Sequence, residues 1–375
     1  MQYRNFGKKG ISISSLGIGT KRLPTTIDGN GRISVDKDKS TEIIRKAIDS
    51  GINYIDSAYS YYDGEAEKML GSALMNGYRE KVYIATKCPL WLIKSPEDFD
   101  RILDEQLERL QVDYIDFYMF HSMNSINWND VVLTYRLLDK MDEAKKSGKI
   151  RFVGFSYHDN YDMFETALRI YDWDFCQIQM NYLNYDKEAT FEGMQLAYSK
   201  GIGIVVMEVL AEGKLANPPV NVANTLWDMK SAVEWAYDYV WDKVAVSVAL
   251  TGVNNLEHLQ ENIIYANRSY TGMLFPKEEA MFLTAKEIYD TIPLVNCNKC
   301  SYCMPCPRGI NIPRVFDAYN QLAIKGKEEA LKLYSTNKIK ANQCSGCKTC
   351  EKACPNRVKI SEQMKQIDKI FSEIV

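Results

Sequence analysis

Eight of the ten cysteines lie in two short runs near the end of the sequence. The first run holds Cys297, Cys300, Cys303 and Cys306, which precedes a proline, and the second holds Cys344, Cys347, Cys350 and Cys354, which precedes Pro355. Three cysteines at three-residue spacing with a fourth before proline are typical of ligands to a [4Fe–4S] cluster. Where two such runs occur, the fourth cysteine of each run ligates the cluster of the other run. The sequence therefore predicts two [4Fe–4S] clusters, one held by Cys297, Cys300, Cys303 and Cys354 and the other by Cys344, Cys347, Cys350 and Cys306.

Structural zinc is the main alternative for these cysteines. Zinc sites usually take four ligands from two separated pairs, whereas each run here offers three evenly spaced cysteines and a fourth before proline. The spacing favours iron–sulfur clusters over zinc. The two remaining cysteines, Cys88 and Cys176, fall on predicted strands, where we expect them to be small buried apolar residues.

A second set of residues capable of chemistry precedes the cysteines. Asp56, Lys87 and His121 each end a predicted strand, and Tyr61 follows Asp56 by five residues. Each residue alone is weak evidence, because a strand-end Asp is usually a cap and a lysine or histidine is often only solvated or buried. Together they supply a carboxylate, a phenol, an ammonium and an imidazole, which can carry out general acid catalysis.

Short β-rich runs that alternate with helical patterns would position these residues. The predicted strands are Leu16–Gly19, Asn53–Asp56, Val82–Thr86, Ile115–Phe120, Phe152–Phe155, Phe175–Gln179, Gly203–Met207 and Val244–Val248. The predicted helices between them include Lys39–Ser50, Glu65–Asn76, Pro96–Leu110, Asp130–Ser147 and Ala189–Lys200. Eight such units, preceded by a short hairpin, favour a (β/α)8 TIM barrel, whose active site lies at the carboxyl ends of the strands. A doubly wound open sheet is the structural alternative, but no Gly-x-Gly-x-x-Gly follows the first strand.

The motifs around these residues resemble those of the aldo-keto reductase family. In chain order they are GIGT, IDSAYSY, IATK, the strand that ends in His121, IRFVGFS and NNLEHLQEN, and they cover residues 1–267. The tail resembles that of a subset of the family with a C-terminal two-cluster ferredoxin-like domain. The resemblance implies an oxidoreductase that reduces a carbonyl substrate with NADP(H) or NAD(H).

The resemblance also gives the four residues roles that are chemically reasonable. Tyr61 would donate a proton to the carbonyl oxygen, and an ammonium beside it, on Lys87, would lower the pKa of the phenol from about 10. Asp56 would hold Lys87 in place and charged. His121 would orient the carbonyl oxygen.

The same resemblance assigns residues to the cofactor. Ser156 and Gln177 would contact the nicotinamide carboxamide, and Thr20 would lie beside the cofactor. The residues expected around the adenine ribose and phosphates are Gly252, Asn254, Glu261 and Asn262. The alternative for this last group is that it only begins a helix, with Asn254 or Asn255 as the N-cap of Leu256–Asn267. The two interpretations are compatible, because the N-terminus of a helix can bind phosphate.

The sequence departs from the family pattern in three ways, at four positions. Met207 stands where many members stack an aromatic ring on the nicotinamide. Gly252 and His258 stand where NADPH-specific members are usually basic, and Tyr157 replaces an asparagine. The choice between NADPH and NADH therefore stays open.

The chain divides into three expected segments. We expect a barrel over residues 1–275, a linking helix over residues 276–293, and a small, mainly helical iron–sulfur domain over residues 294–375. That domain holds 14 Lys and Arg against 7 Asp and Glu, a charge of +7, whereas the rest of the chain holds 32 against 42, or −10. The positive charge suits an acidic partner, or it offsets the negative charge of the ligated clusters.

The remaining composition is that of a soluble globular protein. No secretory signal begins the sequence and no apolar run is long enough to span a bilayer, so we expect a cytoplasmic protein with neither a membrane nor a nucleic-acid partner. Trp91, Trp128, Tyr157 and Met123 suggest an apolar or aromatic substrate pocket, but nothing names the substrate.

Three functional hypotheses are compatible with the sequence. In the first, the barrel reduces a carbonyl and the clusters are structural or sense oxidation. In the second, the clusters relay electrons from a ferredoxin-type partner to a substrate or flavin in the barrel mouth. In the third, the barrel is a degenerate scaffold for a redox-responsive binding module, which the complete set of four polar residues disfavours.

Overall fold

Eight parallel strands close into a barrel in the computed structural model, which describes residues 1–27, 33–297, 299–354 and 356–374. The barrel strands are β3 (Leu16–Gly19), β6 (Tyr54–Asp56), β7 (Tyr83–Cys88), β8 (Ile115–Met123), β9 (Ile150–Tyr157), β10 (Phe175–Gln179), β11 (Gly203–Met207) and β12 (Val248–Thr251). They pair in chain order, and β12 pairs with β3 to close the barrel. The predicted (β/α)8 barrel is confirmed. Within the described residues, no helix is both long enough and apolar enough to cross a membrane.

Two short hairpins accompany the barrel. They are formed by β1 (Tyr3–Asn5) with β2 (Ser12–Ser14) and by β4 (Thr25–Ile27) with β5 (Ile33–Val35). The first hairpin carries Phe6, which is fully buried in a cluster with Phe117 and Phe175 from the barrel strands. Gly203 makes room for Phe6, since a Cβ on Gly203 would collide with the phenyl ring. The predicted opening hairpin therefore contributes to the barrel core.

Helices follow most barrel strands and cover the barrel. The helices up to residue 267 are α1 (Lys37–Asp49), α2 (Glu65–Ala73), α3 (Pro96–Leu110), α4 (Ser125–Asn127), α5 (Leu137–Lys146), α6 (Tyr161–Ile170), α7 (Thr190–Ser199), α8 (Val220–Ala223), α9 (Ala232–Trp241) and α10 (Leu256–Asn267). Helix α3 shows why such segments begin where they do. Pro96 opens it, and the carboxylate of Asp98 accepts a hydrogen bond from the backbone N–H of Ser95 at 3.1 Å, which satisfies one free donor.

Two predicted elements are wrong in detail. The eighth strand begins at Val248, where the predicted strand ends, because residues 243–246 form a turn in which Val246 N–H donates to Lys243. The predicted helix over residues 130–147 is two helices, a π-helix (Trp128–Leu133) and α5, separated by Arg136 with a φ of 51°.

The chain folds into two compact units. The first unit consists of Met1–Val209 and Ala236–Leu274, and the second of Leu210–Trp235 and Phe275–Val375. The second unit therefore includes the segment that follows β11 as well as the expected linking helix.

The part of the second unit after residue 275 is helical. Its helices are α11 (Pro276–Asp290), α12 (Ile312–Ile324), α13 (Lys327–Ser335), α14 (Thr349–Lys352) and α15 (Ile360–Ile374). Val315 and Phe316 of α12 pack with Ala330 of α13 and Ile367 of α15 in one buried core. Most of the cysteines in the two runs are half-buried against this core, which confirms a mainly helical cysteine-rich domain.

Candidate functional site

Asp56 and Lys87 form a buried ion pair at the carboxyl ends of β6 and β7. The Nζ of Lys87 donates to Oδ1 of Asp56 and to the carbonyl oxygen of Ser57, both at 2.6 Å. Lys87 is 1 % exposed and Asp56 is 3 % exposed. The adjacent strands bring the two residues together because the barrel places the ends of parallel strands on one rim.

Burial shifts the pKa values of both members of this pair toward the neutral forms. It lowers the pKa of Lys87 and raises the pKa of Asp56, and the attraction between them opposes both shifts. Each charge therefore depends on the presence of the other.

Tyr61 lies over the ammonium of Lys87, with 5.3 Å between Nζ and the centre of the phenol ring. The hydroxyl of Tyr59 instead donates to Glu105 at 2.9 Å, and that of Tyr62 donates to the backbone carbonyl of Lys21 at 3.0 Å. The structure thus separates Tyr61 from its two aromatic neighbours in the sequence.

His121 completes the group from β8. Its ring lies nearly perpendicular to the ring of Tyr61 with 6.2 Å between their centres, and its centre is 5.0 Å from that of Trp91. Burial lowers the pKa of His121 well below its ordinary value, and the nearby charge of Lys87 adds to the effect. At neutral pH the imidazole is therefore uncharged and can donate or accept a hydrogen bond.

A buried polar network behind Lys87 was not among the residues predicted from the sequence. Glu67 of α2 accepts from the hydroxyl of Thr86 at 2.6 Å and from the amide of Gln106 at 2.7 Å. The same amide of Gln106 donates to the backbone carbonyl of Lys87 at 3.2 Å, and Arg109 pairs with the other oxygen of Glu67 at 3.2 Å. This network fixes the backbone of β7 where it presents Lys87. The sequence signal was a glutamate among the apolar residues of α2 that face the core.

Ser156 and Gln177 are neighbours across β9 and β10, as their register pairs them. The hydroxyl of Ser156 accepts from the backbone N–H of Ser122 at 2.8 Å. The amide nitrogen of Gln177 lies 3.6 Å from the sulfur of Met207, while its Oε1 is buried and accepts no hydrogen bond from the described residues. A buried acceptor that lacks a donor fits the N–H group of a nicotinamide carboxamide.

Thr20 and the residues expected near the adenine end differ in burial. Thr20 is buried and donates to Ser57 at 2.9 Å, and Asn262 donates to Thr251 at 2.9 Å. Asn255, not Asn254, caps α10 by accepting from the N–H of His258 at 2.8 Å. The three other residues expected at this end are exposed, namely Glu261, Asn254 and Gly252.

Arg22 is a cation near this end that was not predicted from the sequence. A Cβ on Gly252 would lie 2.9 Å from Cγ of Arg22, so the arginine stem packs over the glycine. Arg22, in the loop after β3, therefore places a basic group beside Gly252, the position that is usually basic in NADPH-specific members.

The four residues expected in an apolar pocket differ in exposure. Tyr157 and Met123 are fully buried and Trp128 is 2 % exposed, whereas Trp91 is 43 % exposed. A substrate pocket lined by these residues stays a prediction. Trp91 is the aromatic residue that the structure places next to His121.

The cysteines of the two runs surround two cavities in the second unit. One cavity is lined by Cys297, Cys300, Cys303 and Cys354. The other is lined by Cys306, Cys344, Cys347 and Cys350. Each cavity thus takes three cysteines from one run and the fourth from the other, which is the grouping expected from the sequence. Pro355, which follows the last cysteine, lies outside the described residues.

Four thiols line each cavity, which is the ligand set of a [4Fe–4S] cluster. Across the described residues, no three His, Cys, Asp or Glu side chains are arranged to hold a single metal ion. Four thiols around one cavity can instead ligate a cube of iron and sulfide, and the backbone N–H of Lys299 lies 3.4 Å from the sulfur of Cys297.

Comparison with known proteins agrees with both halves of this description. Residues 15–221 match the model of the Aldo/keto reductase family, and residues 296–359 match that of the 4Fe-4S dicluster domain. The chain belongs to the aldo/keto reductase family. These two matches confirm the predictions of an NAD(P)H-dependent oxidoreductase and of a tail that is a 4Fe-4S dicluster domain.

Relatives of this aldo/keto reductase include L-galactose dehydrogenase of Arabidopsis thaliana, which is 26 % identical over 70 % of this chain and 87 % of its own. The NADH-specific methylglyoxal reductase of Escherichia coli is 30 % identical over 56 % of this chain and 67 % of its own. A solved aldo-keto reductase from Klebsiella pneumoniae in complex with NADPH has a TM-score of 0.60 at 21 % identity, over 75 % of this chain and 94 % of that one. This structural likeness supports the fold of the barrel.

Proposed function

We propose that this protein reduces a small carbonyl substrate with a nicotinamide dinucleotide and that Tyr61 donates the proton. The observation that carries the proposal is the buried Lys87, which pairs with Asp56 and faces the ring of Tyr61 at 5.3 Å. A cation at this place stabilises a phenolate and so makes the phenol a better acid.

The chain's own residues account for substrate orientation and proton transfer. Neutral His121 donates a hydrogen bond to the carbonyl oxygen, and Tyr61 releases its proton to the same oxygen as the carbonyl becomes an alcohol. Asp56 keeps Lys87 protonated throughout. The nicotinamide supplies the hydride for the carbonyl carbon.

Ser156 and Gln177 are proposed to hold the nicotinamide carboxamide, with Met207 beside it and Thr20 at the first loop. The buried Oε1 of Gln177 supports this assignment because it needs a donor. The residues proposed around the adenine end are Gly252, Asn254, Glu261 and Asn262. Arg22 would supply a cation there, so both NADPH and NADH should be tested.

Tyr61→Phe tests the proposal, with Tyr59→Phe and Tyr62→Phe as matched controls. The assay follows oxidation of NADPH and of NADH with methylglyoxal and simple aldehydes, and dinucleotide binding is titrated separately. We expect Tyr61→Phe to lose turnover by about 10²-fold or more while binding the dinucleotide normally, because only the proton donor is missing. Wild-type turnover in Tyr61→Phe would remove Tyr61 from this role.

A second candidate function is electron transfer from a ferredoxin-type partner through the clusters. The exposed position of Cys347 favours it, since an electron must enter a cluster near the surface. We expect NADPH alone not to bleach the cluster absorption, because a hydride carries two electrons and a [4Fe–4S] cluster accepts one. A cytoplasmic location is proposed as well, since a reducing compartment keeps the eight cysteines of the two runs available as ligands.

A further inference from the structure

The surface next to the cavity lined by Cys306, Cys344, Cys347 and Cys350 is strongly basic. An open groove of about 550 Å³ lies there, and its basic lining residues are Arg308, Lys338 and Lys340. The other described residues that line it are Pro307, Ile339, Asn342 and Gln343, so no acidic side chain is among them. We name this surface the basic groove.

The basic groove and the cysteine cavity share a wall. Pro307 and Arg308 line both of them. Cys347 in the same cavity is exposed, as is Lys348 beside it. A molecule seated in the basic groove would therefore lie next to the cluster held by these cysteines, with the shared wall between them.

The cavity lined by Cys297, Cys300, Cys303 and Cys354 differs in its surroundings. Its remaining described lining residues are uncharged, and none of them borders the basic groove. Ile360 lines both cysteine cavities, which places the two clusters next to each other. The structure thus distinguishes a cysteine cavity that borders the groove from one that does not. We name the cluster that the first cavity would hold the outer cluster.

Local acidic residues do not neutralise the groove. Between residues 338 and 352 the sequence holds four lysines and one acidic residue, Glu351. The carboxylate of Glu351 accepts from both the N–H and the hydroxyl of Ser361, at 2.8 and 2.6 Å, and is committed to the start of α15. The described residues that line the groove therefore carry a net positive charge.

We propose that the basic groove is the docking surface for an acidic one-electron carrier protein of the ferredoxin or flavodoxin class. Carboxylates of the carrier pair with Arg308 and Lys338, and Pro307 and Ile339 form the small apolar centre of the interface. One electron leaves the carrier and enters the outer cluster, whose charge changes from 2+ to 1+; no proton moves and no bond is broken. The inference rests on the second candidate function and deepens it, but it does not require that carbonyl reduction occurs.

The alternative occupant of a basic groove is nucleic acid. Single-stranded binding surfaces usually add exposed aromatic side chains on which bases stack, and no aromatic residue is among the described residues that line the basic groove. The adjacency to a cysteine cavity, which nucleic-acid binding would not use, favours the redox carrier.

The test uses the full-length protein with both clusters loaded and an acidic flavodoxin, whose flavin spectrum is distinct from that of the clusters. Arg308→Glu/Lys338→Glu is compared with Lys365→Glu/Lys369→Glu, which makes the same charge change at two exposed lysines of α15 outside the groove. Lys340 is left intact, because its Nζ donates to the carbonyl of Tyr334 at 2.8 Å and supports the end of α13. Iron and sulfide content and reduction by dithionite show that each variant holds its clusters.

Two readouts are made. The dissociation constant for oxidised flavodoxin is measured by calorimetry, and the rate of electron transfer from the flavodoxin hydroquinone is measured by stopped flow. We expect the groove variant to lose about tenfold in both affinity and rate, and the α15 control to change by less than about twofold. NADPH-dependent carbonyl reduction should be equal in both variants, so its absence would count against the proposed enzyme activity and not against docking.

Equal behaviour of the two variants, whether both fall or both stay at the wild-type level, would overturn the proposal. Binding of a single-stranded oligonucleotide that the groove variant loses, with an unchanged flavodoxin rate, would overturn it in favour of nucleic acid.

Discussion

Asp56→Asn should uncouple the buried ion pair while leaving its geometry almost intact. Asn is the same size as Asp and still accepts a hydrogen bond from Nζ of Lys87, which also keeps its bond to the carbonyl of Ser57. The loss is therefore electrostatic. Burial then lowers the pKa of Lys87 without opposition from Asp56, so the lysine becomes neutral at a lower pH than in the wild type.

The expected loss of stability follows from the burial of both Asp56 and Lys87. Removing one partner of a buried pair costs about 3–5 kcal/mol, and we expect about 3 kcal/mol because the bond to Ser57 remains and Lys87 can lose its proton. Lys87→Met should cost a similar amount, since Asp56 is then left buried without its cation. The double variant should cost less than the sum by about 2 kcal/mol, because no charge remains to be compensated.

Native-state hydrogen exchange of amides in β6 and β7 measures these free energies without assuming that the two units unfold together. Carbonyl reduction is measured in parallel over a range of pH. The residual activity of Asp56→Asn should rise as pH falls, because lower pH restores the charge on Lys87. The argument that the two charges support each other would be refuted in either of two cases. The double variant could lose a free energy of unfolding within about 0.5 kcal/mol of the sum of the two single losses, or Asp56→Asn could keep the pH profile of the wild type.

Three further predictions concern the cofactor, the clusters and pH. Gln177→Leu should raise the KM for the dinucleotide with little change in kcat, which steady-state kinetics would show; an unchanged KM would remove Gln177 from the carboxamide site. Cys354→Ala should abolish the cluster of the first run, and Cys306→Ala should abolish that of the second. Each variant should therefore lose one of two distinct electron paramagnetic resonance signals. If each variant instead lost the cluster of its own run, the grouping of cysteines around the cavities would be contradicted. The pKa of His121 is lowered in the folded state, so its contribution to stability is fully present above the unfolded value of about 6.5 and is lost as pH falls below it. His121→Gln should therefore reduce the acid-side loss of stability measured by unfolding between about pH 7 and pH 5, and an unchanged pH dependence would contradict burial of the imidazole.

Prediction from the sequence worked best where a local pattern has one structural solution. Alternating strands and helices predicted the barrel, and the boundaries of Phe175–Gln179, Gly203–Met207 and α3 agree with the structure residue for residue. Prediction was less accurate where a turn interrupts an apolar run. Val244 is 56 % exposed although it belongs to a β-rich stretch, because the chain still turns there before β12 begins.

The surroundings of the candidate site were harder to predict. Glu67, Gln106 and Arg109 are separated from Lys87 by up to 22 residues, and nothing in their spacing links them to it. They meet because α2 and α3 pack against each other and α3 packs against β7. Arg22 and Gly252 are likewise far apart in the sequence and adjacent across the closure of the barrel between β3 and β12.

Local patterns in the sequence were sufficient to predict the barrel and the two iron–sulfur clusters, because strand and helix periodicity and cysteine spacing are properties of short stretches of chain. The family was predicted from the resemblance of short motifs to those of its members. Tertiary contacts were needed to show which tyrosine faces Lys87, since hydrogen bonds to Glu105 and Lys21 turn Tyr59 and Tyr62 away. They were also needed to show which cluster lies beside the basic groove. Both outcomes depend on residues distant in sequence, whose side chains meet only when the strands close and the helices pack.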